Sequence, residues 1–436
     1  MLGKDDQAVK GAVDTYSFEQ DFAQEKIADH GHGERTGSSF GAFFNIVCVV
    51  AGTGTLQLPW CLAEGGWVAL LCVFLASAIA VFTGRLLIQC LYHKEGHRLS
   101  SYPDIGMAAF GVIGKYFILV LHYSISLGGP CVYISLAGGG THDLVKEMVG
   151  ITKAMWIIIA AVLVCIPFVL IKSMKEVAIL AIFGVLSTVV VVVVVVAVGF
   201  IDLPNVESTH SLVRWENLPA AMGTICFSFG GNVVYPHVES SMKNPQSWTK
   251  VLFFAVMCIM TMYLMIAISG YFVYGEQVEA IIYDSLPQNP AKVTAIALLI
   301  AHVILAAPIM LTAVALELED SFNITVENMG AAREFMFRAL LRTGMVVLLT
   351  FPAVFIPVSK LMSLIGSFSN SLLIFVMPVV LHWRLFGFRS MNIVSLCACG
   401  VCIVVGVMAC ICGTQQSIAS LIAYFSNPEE AGASMH

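Results

Sequence analysis

The chain has 436 residues, 58% hydrophobic and only 11% charged, with a formal net charge of −6 and a mean hydropathy of +0.87. Soluble domains carry about 25% charged residues, so too few polar side chains exist here to cover a water-exposed fold. Disorder, a coiled coil and a secreted disulfide scaffold fall on the same ground, and 22 Lys and Arg against 28 Asp and Glu leave no basic stripe for a nucleic acid. What remains is a polytopic membrane protein.

Residues 1–39 are polar and lack an apolar core. They read as a disordered cytosolic leader, not a cleaved signal peptide. A bilayer core of about 30 Å takes roughly 20 apolar residues per helix. Eleven stretches qualify: 40–63, 67–91, 116–140, 154–171, 177–201, 218–240, 250–274, 292–316, 340–358, 361–383 and 390–413. The run from Val189 to Val196 does not alternate as a barrel strand would. The expected fold is therefore all-α, with eleven transmembrane helices. Trp67, Trp156, Trp215, Trp248 and Trp383 fall at or beside predicted helix ends, where amphipathic rings prefer the interface. With the N-terminus in the cytosol, 17 Lys and Arg lie on the cytosolic side and 5 on the other, which sum to the 22 present. That bias supports this orientation and predicts residues 414–436 to be a short lumenal or extracellular tail.

Spans 1 and 6 are interrupted. Gly52-Thr53-Gly54-Thr55-Leu56-Gln57-Leu58-Pro59 breaks the first, and Phe227-Ser228-Phe229-Gly230-Gly231-Asn232-Val233-Val234-Tyr235-Pro236 breaks the sixth. In each, Pro follows the second Gly by five residues. Glycine lets the backbone leave helical dihedrals, and proline removes a donor and blocks continuation. A single such break can be a packing kink. Two breaks in corresponding positions point to a transporter binding site. Five spans separate them, an odd number, which predicts an inverted repeat: 40–201 and 218–383, with 390–413 as an added helix. Backbone groups freed inside a membrane must face protein or a wet cavity. Half-helix N-termini suit a carboxylate, and half-helix carbonyls suit an ammonium group, so a free amino acid is the expected ligand. Gly52, Thr53, Gly54, Thr55, Phe227, Ser228, Phe229, Gly230 and Gly231 are the candidate substrate-binding residues. No charged residue sits at mid-membrane beside either break, which predicts a small neutral substrate.

Ionisable residues inside spans are functional candidates by default. Glu239, His237 and His302 are the candidates for proton coupling, since histidine titrates near neutrality. Each has a plainer reading. Glu239 can pair with Lys243 at i+4, His302 and His122 can be hydrogen-bonded core histidines, and Glu317, Glu319 and Asp320 can be solvated charges. Sodium coupling through hydroxyls such as Thr53, Ser187, Thr188 and Thr312 stays open, as does a sensor that binds amino acids without moving them. The Cys397, Cys399, Cys402, Cys410 and Cys412 cluster lacks metal-ligand spacing, so no metal and no cofactor beyond an ion gradient is expected. The expected partners are the bilayer and a small amino acid, with the protein acting as a monomer.

Three motifs carry a resemblance. Asn45 followed by Gly52 to Pro59, Ser101-Tyr102-Pro103-Asp104-Ile105-Gly106 ahead of Ala109-Phe110-Gly111, and Phe227 through Pro245 resemble signatures of the amino acid/auxin permease family, the last in a form similar to fungal members. The resemblance covers roughly residues 38–413. It implies an eleven-helix fold with a five-plus-five inverted repeat and secondary transport of amino acids, often proton-coupled. It also implies that Gly52 to Thr55 and Phe227 to Gly231 line the substrate site. The nearest type is the vacuolar or vesicular amino acid transporters, which favours such a membrane over the plasma membrane. The chain departs from some animal members in lacking lumenal cysteines.

Overall fold

The computed structural model describes residues 35, 37–94, 97–145, 150–171 and 174–426, which are helical with short connections and hold no strand. The first 34 residues of the expected leader and residues 427–436 of the expected tail lie outside the described residues. α1 spans Ser39–Val50 and opens on Ser38, whose Oγ accepts a hydrogen bond from the Gly41 N–H at 2.9 Å, satisfying a donor that a helix start leaves free. A 3-10 turn, Thr53–Gln57, leads into α2, Leu58–Gly65. Then come α3 (Val68–Leu91), α4 (Tyr102–Val145), α5 (Lys153–Leu170) and α6 (Met174–Asp202). The second part holds α7 (Leu218–Ser228), α8 (Tyr235–Ser241), α9 (Trp248–Tyr274), α10 (Pro290–Ser321), α11 (Ala331–Phe355), α12 (Val358–Ile365), α13 (Met377–Phe386) and α14 (Ile393–Ser426). Between α12 and α13 the chain widens into a π-helix, Gly366–Val376.

Among the described residues nine helices are long and apolar enough to cross a membrane. A tenth passage is the pair Ser39–Val50 and Gly54–Gly65, bent by 41°. α7 and α8, of 11 and 7 residues, are each too short alone. Several bounds differ from those expected. α4 begins at Tyr102, well before residue 116, and bends at Gly111 with φ 66°, ψ −152°, a conformation glycine adopts without a Cβ penalty. α11 starts at Ala331 rather than 340, and α14 runs to Ser426 rather than 413. The cause is common: hydropathy marks the part of a helix that sits in lipid, whereas a helix continues through polar residues such as Gln415 and Gln416. Most of the segment expected as a C-terminal tail is thus helix.

α10 lies along both α6 and α4, while α1 packs against α6 and α9, and the π segment against α7 and α14. The most apolar window of Val358–Phe386 is 72% buried and that of Ile393–Ser426 only 22%. The first therefore belongs to the centre of the bundle and the second to its lipid-facing rim.

Candidate functional site

The two interruptions meet. At Gly52 the backbone leaves the helix with ψ −131°, and at Phe229 α7 ends in a chain of turns. The helices cross at Gly54, where a Cβ would stand 2.5 Å from Ser228 Oγ and 2.6 Å from Ser228 Cα. No larger residue fits that crossing. Tyr263 of α9 pins both broken helices, its hydroxyl reaching the Val50 carbonyl at 2.7 Å and also the Ser228 carbonyl. Tyr133 of α4 donates to the Val49 carbonyl at 3.3 Å, and Asn370 Nδ2 donates to the Cys226 and Phe227 carbonyls, each at 3.3 Å. Carbonyls that a continuous helix would satisfy internally are thus held by side chains from three other elements.

A cavity of about 20 Å³ lies at this crossing, lined in part by Val50, Gly54, Tyr133, Phe227, Gly230 and Asn370. No lining side chain among the described residues is charged. The volume is room for about one water, so the centre is closed around itself. A second pocket of about 10 Å³ lies beside the first break, between Gly52, Thr55, Thr188 and His302. His302 is fully buried. Its Nδ1 lies 2.9 Å from the Gly184 carbonyl and 3.0 Å from Thr188 Oγ1, while Nε2 has no hydrogen-bond partner among the described residues. A carbonyl only accepts, so Nδ1 carries the proton and Nε2 offers a lone pair.

Of the nine substrate candidates, Gly54, Phe227 and Gly230 line the central cavity, and Gly52 and Thr55 line the smaller one. Ser228 forms the crossing, Phe229 packs edge-on against Tyr263 at 5.3 Å, and Gly231 abuts Val50 and Tyr235. The Thr53 side chain lies outside the described residues. Tyr133, Asn370, Tyr263, Ile125, Gly129 and Met310 also stand at the crossing and are not among the residues expected from the sequence. Two signals pointed that way: Gly128-Gly129-Pro130 within a span, and the polar run Ser367, Ser369, Asn370, Ser371 in an otherwise apolar one.

Glu239 and His237 stand at one end of the path. Glu239 is fully buried. It is bound not by Lys243 but by Arg98, whose Nη2 and Nε reach Oε2 at 2.8 and 2.9 Å, and by the Tyr92 hydroxyl on Oε1 at 2.5 Å. Arg98 also donates to the Pro236 carbonyl at 2.6 Å, so it ties the loop after α3 to α8. The i+4 partner loses because α8 ends at Ser241, before Lys243. Beside this pair, Glu317 of α10 meets His237 Nε2 at 3.3 Å and His122 Nε2 at 3.8 Å. These contacts join α8, α10 and α4 into one closure. Farther along, Arg342 Nε binds Glu319 at 2.7 Å. No group of three His, Cys, Asp or Glu among the described residues could hold a metal ion.

The family model described as "Transmembrane amino acid transporter protein" matches residues 35–419. The chain belongs to that family. It is 28% identical to Amino acid transporter AVT1D of Arabidopsis thaliana over 388 residues, covering 86% of this chain and 68% of that one. It is 24% identical to the Vesicular GABA transporter of Caenorhabditis elegans over 416 residues, covering 92% and 83%. Among solved structures it resembles a Na+-coupled sialic acid symporter (TM-score 0.54, 12% identity, 96% of this chain and 98% of the other). It also resembles MhsT in complex with L-phenylalanine (TM-score 0.50, 12% identity, 87% and 100%). At such identity the structural likeness speaks for the fold alone. Family membership makes the chain an integral-membrane amino acid transporter and not an enzyme.

Proposed function

We propose that the protein is a proton-coupled secondary transporter of small neutral amino acids, working by alternating access around the cavity where the two broken helices cross. The observation that carries this reading is the cavity itself. It is built on Gly54 and Gly230, ringed by tethered main-chain carbonyls and free of charged side chains. Carbonyls and helix starts complement a zwitterion, while a charged substrate side chain would find no counter-ion in a low-dielectric site. Taking α7 and α8 as one broken passage gives eleven, with the two breaks in matching places of a five-plus-five inverted repeat.

The coupling proton is assigned to His302. Both oxygens of Glu239 are engaged by Arg98 and Tyr92, so Glu239 serves the closure, together with His237 and Glu317. A proton arriving at His302 Nε2 would place a cation against the first break, and the freed carbonyls there could turn to meet it. Protonation would then bias the angle between α1 and α2. The orientation puts the Arg98 end in the cytosol and the membrane is vacuolar or vesicular, supported by the 17 to 5 charge bias and by the vesicular relative.

The test is uptake of labelled glycine, L-alanine, L-leucine, L-glutamine and 4-aminobutyrate into proteoliposomes, with and without an imposed pH gradient. Uptake that rises with the gradient and collapses with a protonophore is expected. Uptake that ignores protons and follows Na+ would remove His302 from the mechanism. Binding without any uptake would make the protein a sensor.

A further inference from the structure

A recess of about 190 Å³ lies far from the Arg98 closure, and the transport reading leaves it without a role. It is lined by α4, the start of α5, residues 279–284 and the corner between α11 and α12. Asp143 in its wall and His122 in the closure both stand on α4, about 30 Å apart at 1.5 Å rise per residue. Ser135, Gly139 and Asp143 recur every fourth residue and so share one face of that helix. The central cavity takes Ile125, Gly129 and Tyr133 from the turns before.

The wall is unusual in its charges and its free hydroxyls. Among the described residues it carries the carboxylates of Asp143, Glu279 and Asp284 against one ammonium, Lys153. Lys292, close by, directs its ammonium at the Asp284 and Leu286 carbonyls, at 3.4 and 3.1 Å. None of these carboxylates forms an ion pair among the described residues. Two hydroxyl-bearing residues in the same wall, Ser135 and Tyr283, are only 4% and 3% exposed. Neither hydroxyl takes a hydrogen bond among the described residues. The Tyr283 hydroxyl feels the charges of both Asp284 and Asp143. Such a wall has more carboxylates than cations, with room and acceptors for a further ammonium group.

We propose that this recess is a docking site for a free amino acid, its ammonium group held by Asp284, Asp143 and the Tyr283 hydroxyl and its carboxylate met by Lys153. The proposal rests on the amino acid transport reading and adds a second, peripheral site to it. A zwitterion matches the wall better than a simple cation, because Lys153 faces the same space as the carboxylates. The charged and titratable groups around Asp284 are Asp143, Lys292, Glu279, Lys153 and Tyr283. Partial desolvation within the recess, and after it the Asp143 carboxylate, pushes Asp284 up to about 6. A bound ammonium would relieve that repulsion.

The test is equilibrium binding of the same five labelled amino acids to the purified full chain in detergent, read as stoichiometry. Wild type is expected to bind two equivalents of at least one of them. Gly54→Val should keep one, Asp284→Asn and Lys153→Gln should each keep one, and Gly54→Val with Asp284→Asn should bind none. Asp284 and Lys153 retain accessible surface, so these substitutions leave packing intact. Wild-type stoichiometry in both Asp284→Asn and Lys153→Gln would overturn the proposal. So would a single wild-type equivalent that Gly54→Val removes, or no binding at all. Failure of the transport reading looks different: no uptake of any compound, with one equivalent that Asp284→Asn removes and Gly54→Val keeps.

Discussion

At the end of the molecule that holds Arg98, the buried carboxylate of Glu239 has a guanidinium at 2.8 Å, and Glu317 has two imidazoles within 4 Å. At the end that holds Asp284, three carboxylates line an open recess with no ion pair among the described residues. The difference lies in what each end does with charge. Paired and desolvated, a carboxylate becomes a clasp between elements, because separating it from its partner leaves a buried charge. Unpaired and accessible, it remains free to receive a ligand. The first end is built to hold α4, α8 and α10 together and the second to admit something.

The strongest way to break this contrast is at the clasp. Arg98→Ala would leave Glu239 buried without its cation, which typically costs about 3–5 kcal/mol. The melting temperature of the purified protein should fall steeply and uptake should be lost, with Glu239→Gln in the same background recovering much of the stability. An unchanged melting curve would mean the pair is ornamental. Next in size is Tyr263→Phe, which removes the hydroxyl shared by the Val50 and Ser228 carbonyls. Leaving such groups buried without a donor costs roughly 1–3 kcal/mol, so thermal stability should drop measurably. A neutral result would show that water replaces the tyrosine. His302→Gln should keep downhill exchange while losing acceleration by a pH gradient, measured as the ratio of uptake with and without it. A preserved ratio would acquit the imidazole.

The smallest effect belongs to the open end. Asp284 titrates at about 6, so lowering the pH from 7 to 5 protonates most of it and removes the charge that would hold an ammonium. Peripheral binding should weaken by about tenfold over that interval, and the equivalent so weakened should be the one that Asp284→Asn lacks. A pH-independent affinity would detach the recess from its carboxylates.

The parts of this architecture written locally were legible in the sequence. Apolar runs located the nine long apolar helices, and the Gly and Pro residues around Gly54 and Gly231 located both breaks, because a backbone leaving a helix in lipid needs those residue types. Long-range partners were not legible. Arg98 lies 141 positions before Glu239, and Lys243, the partner within reach in sequence, falls beyond the end of α8. Tyr133, Asn370 and Tyr263 reach the central carbonyls from three separate elements, which only packing brings together. The length of α14 escaped for another reason: the bilayer selects by polarity, whereas a helix stops only where its backbone is interrupted.

On the proposed mechanism an amino acid passes through the crossing of the two broken helices. Its most direct test is proteoliposome uptake of the five labelled amino acids by wild type, Gly54→Val and Tyr133→Phe, each first shown to be monodisperse by size exclusion. Gradient-stimulated uptake is expected of wild type and background uptake of Gly54→Val, whose side chain would collide with Ser228. Tyr133→Phe loses one hydroxyl of the cavity wall and should transport with reduced affinity. Wild-type uptake by Gly54→Val and unchanged affinity in Tyr133→Phe would contradict it, and would place the transport path elsewhere in the bundle.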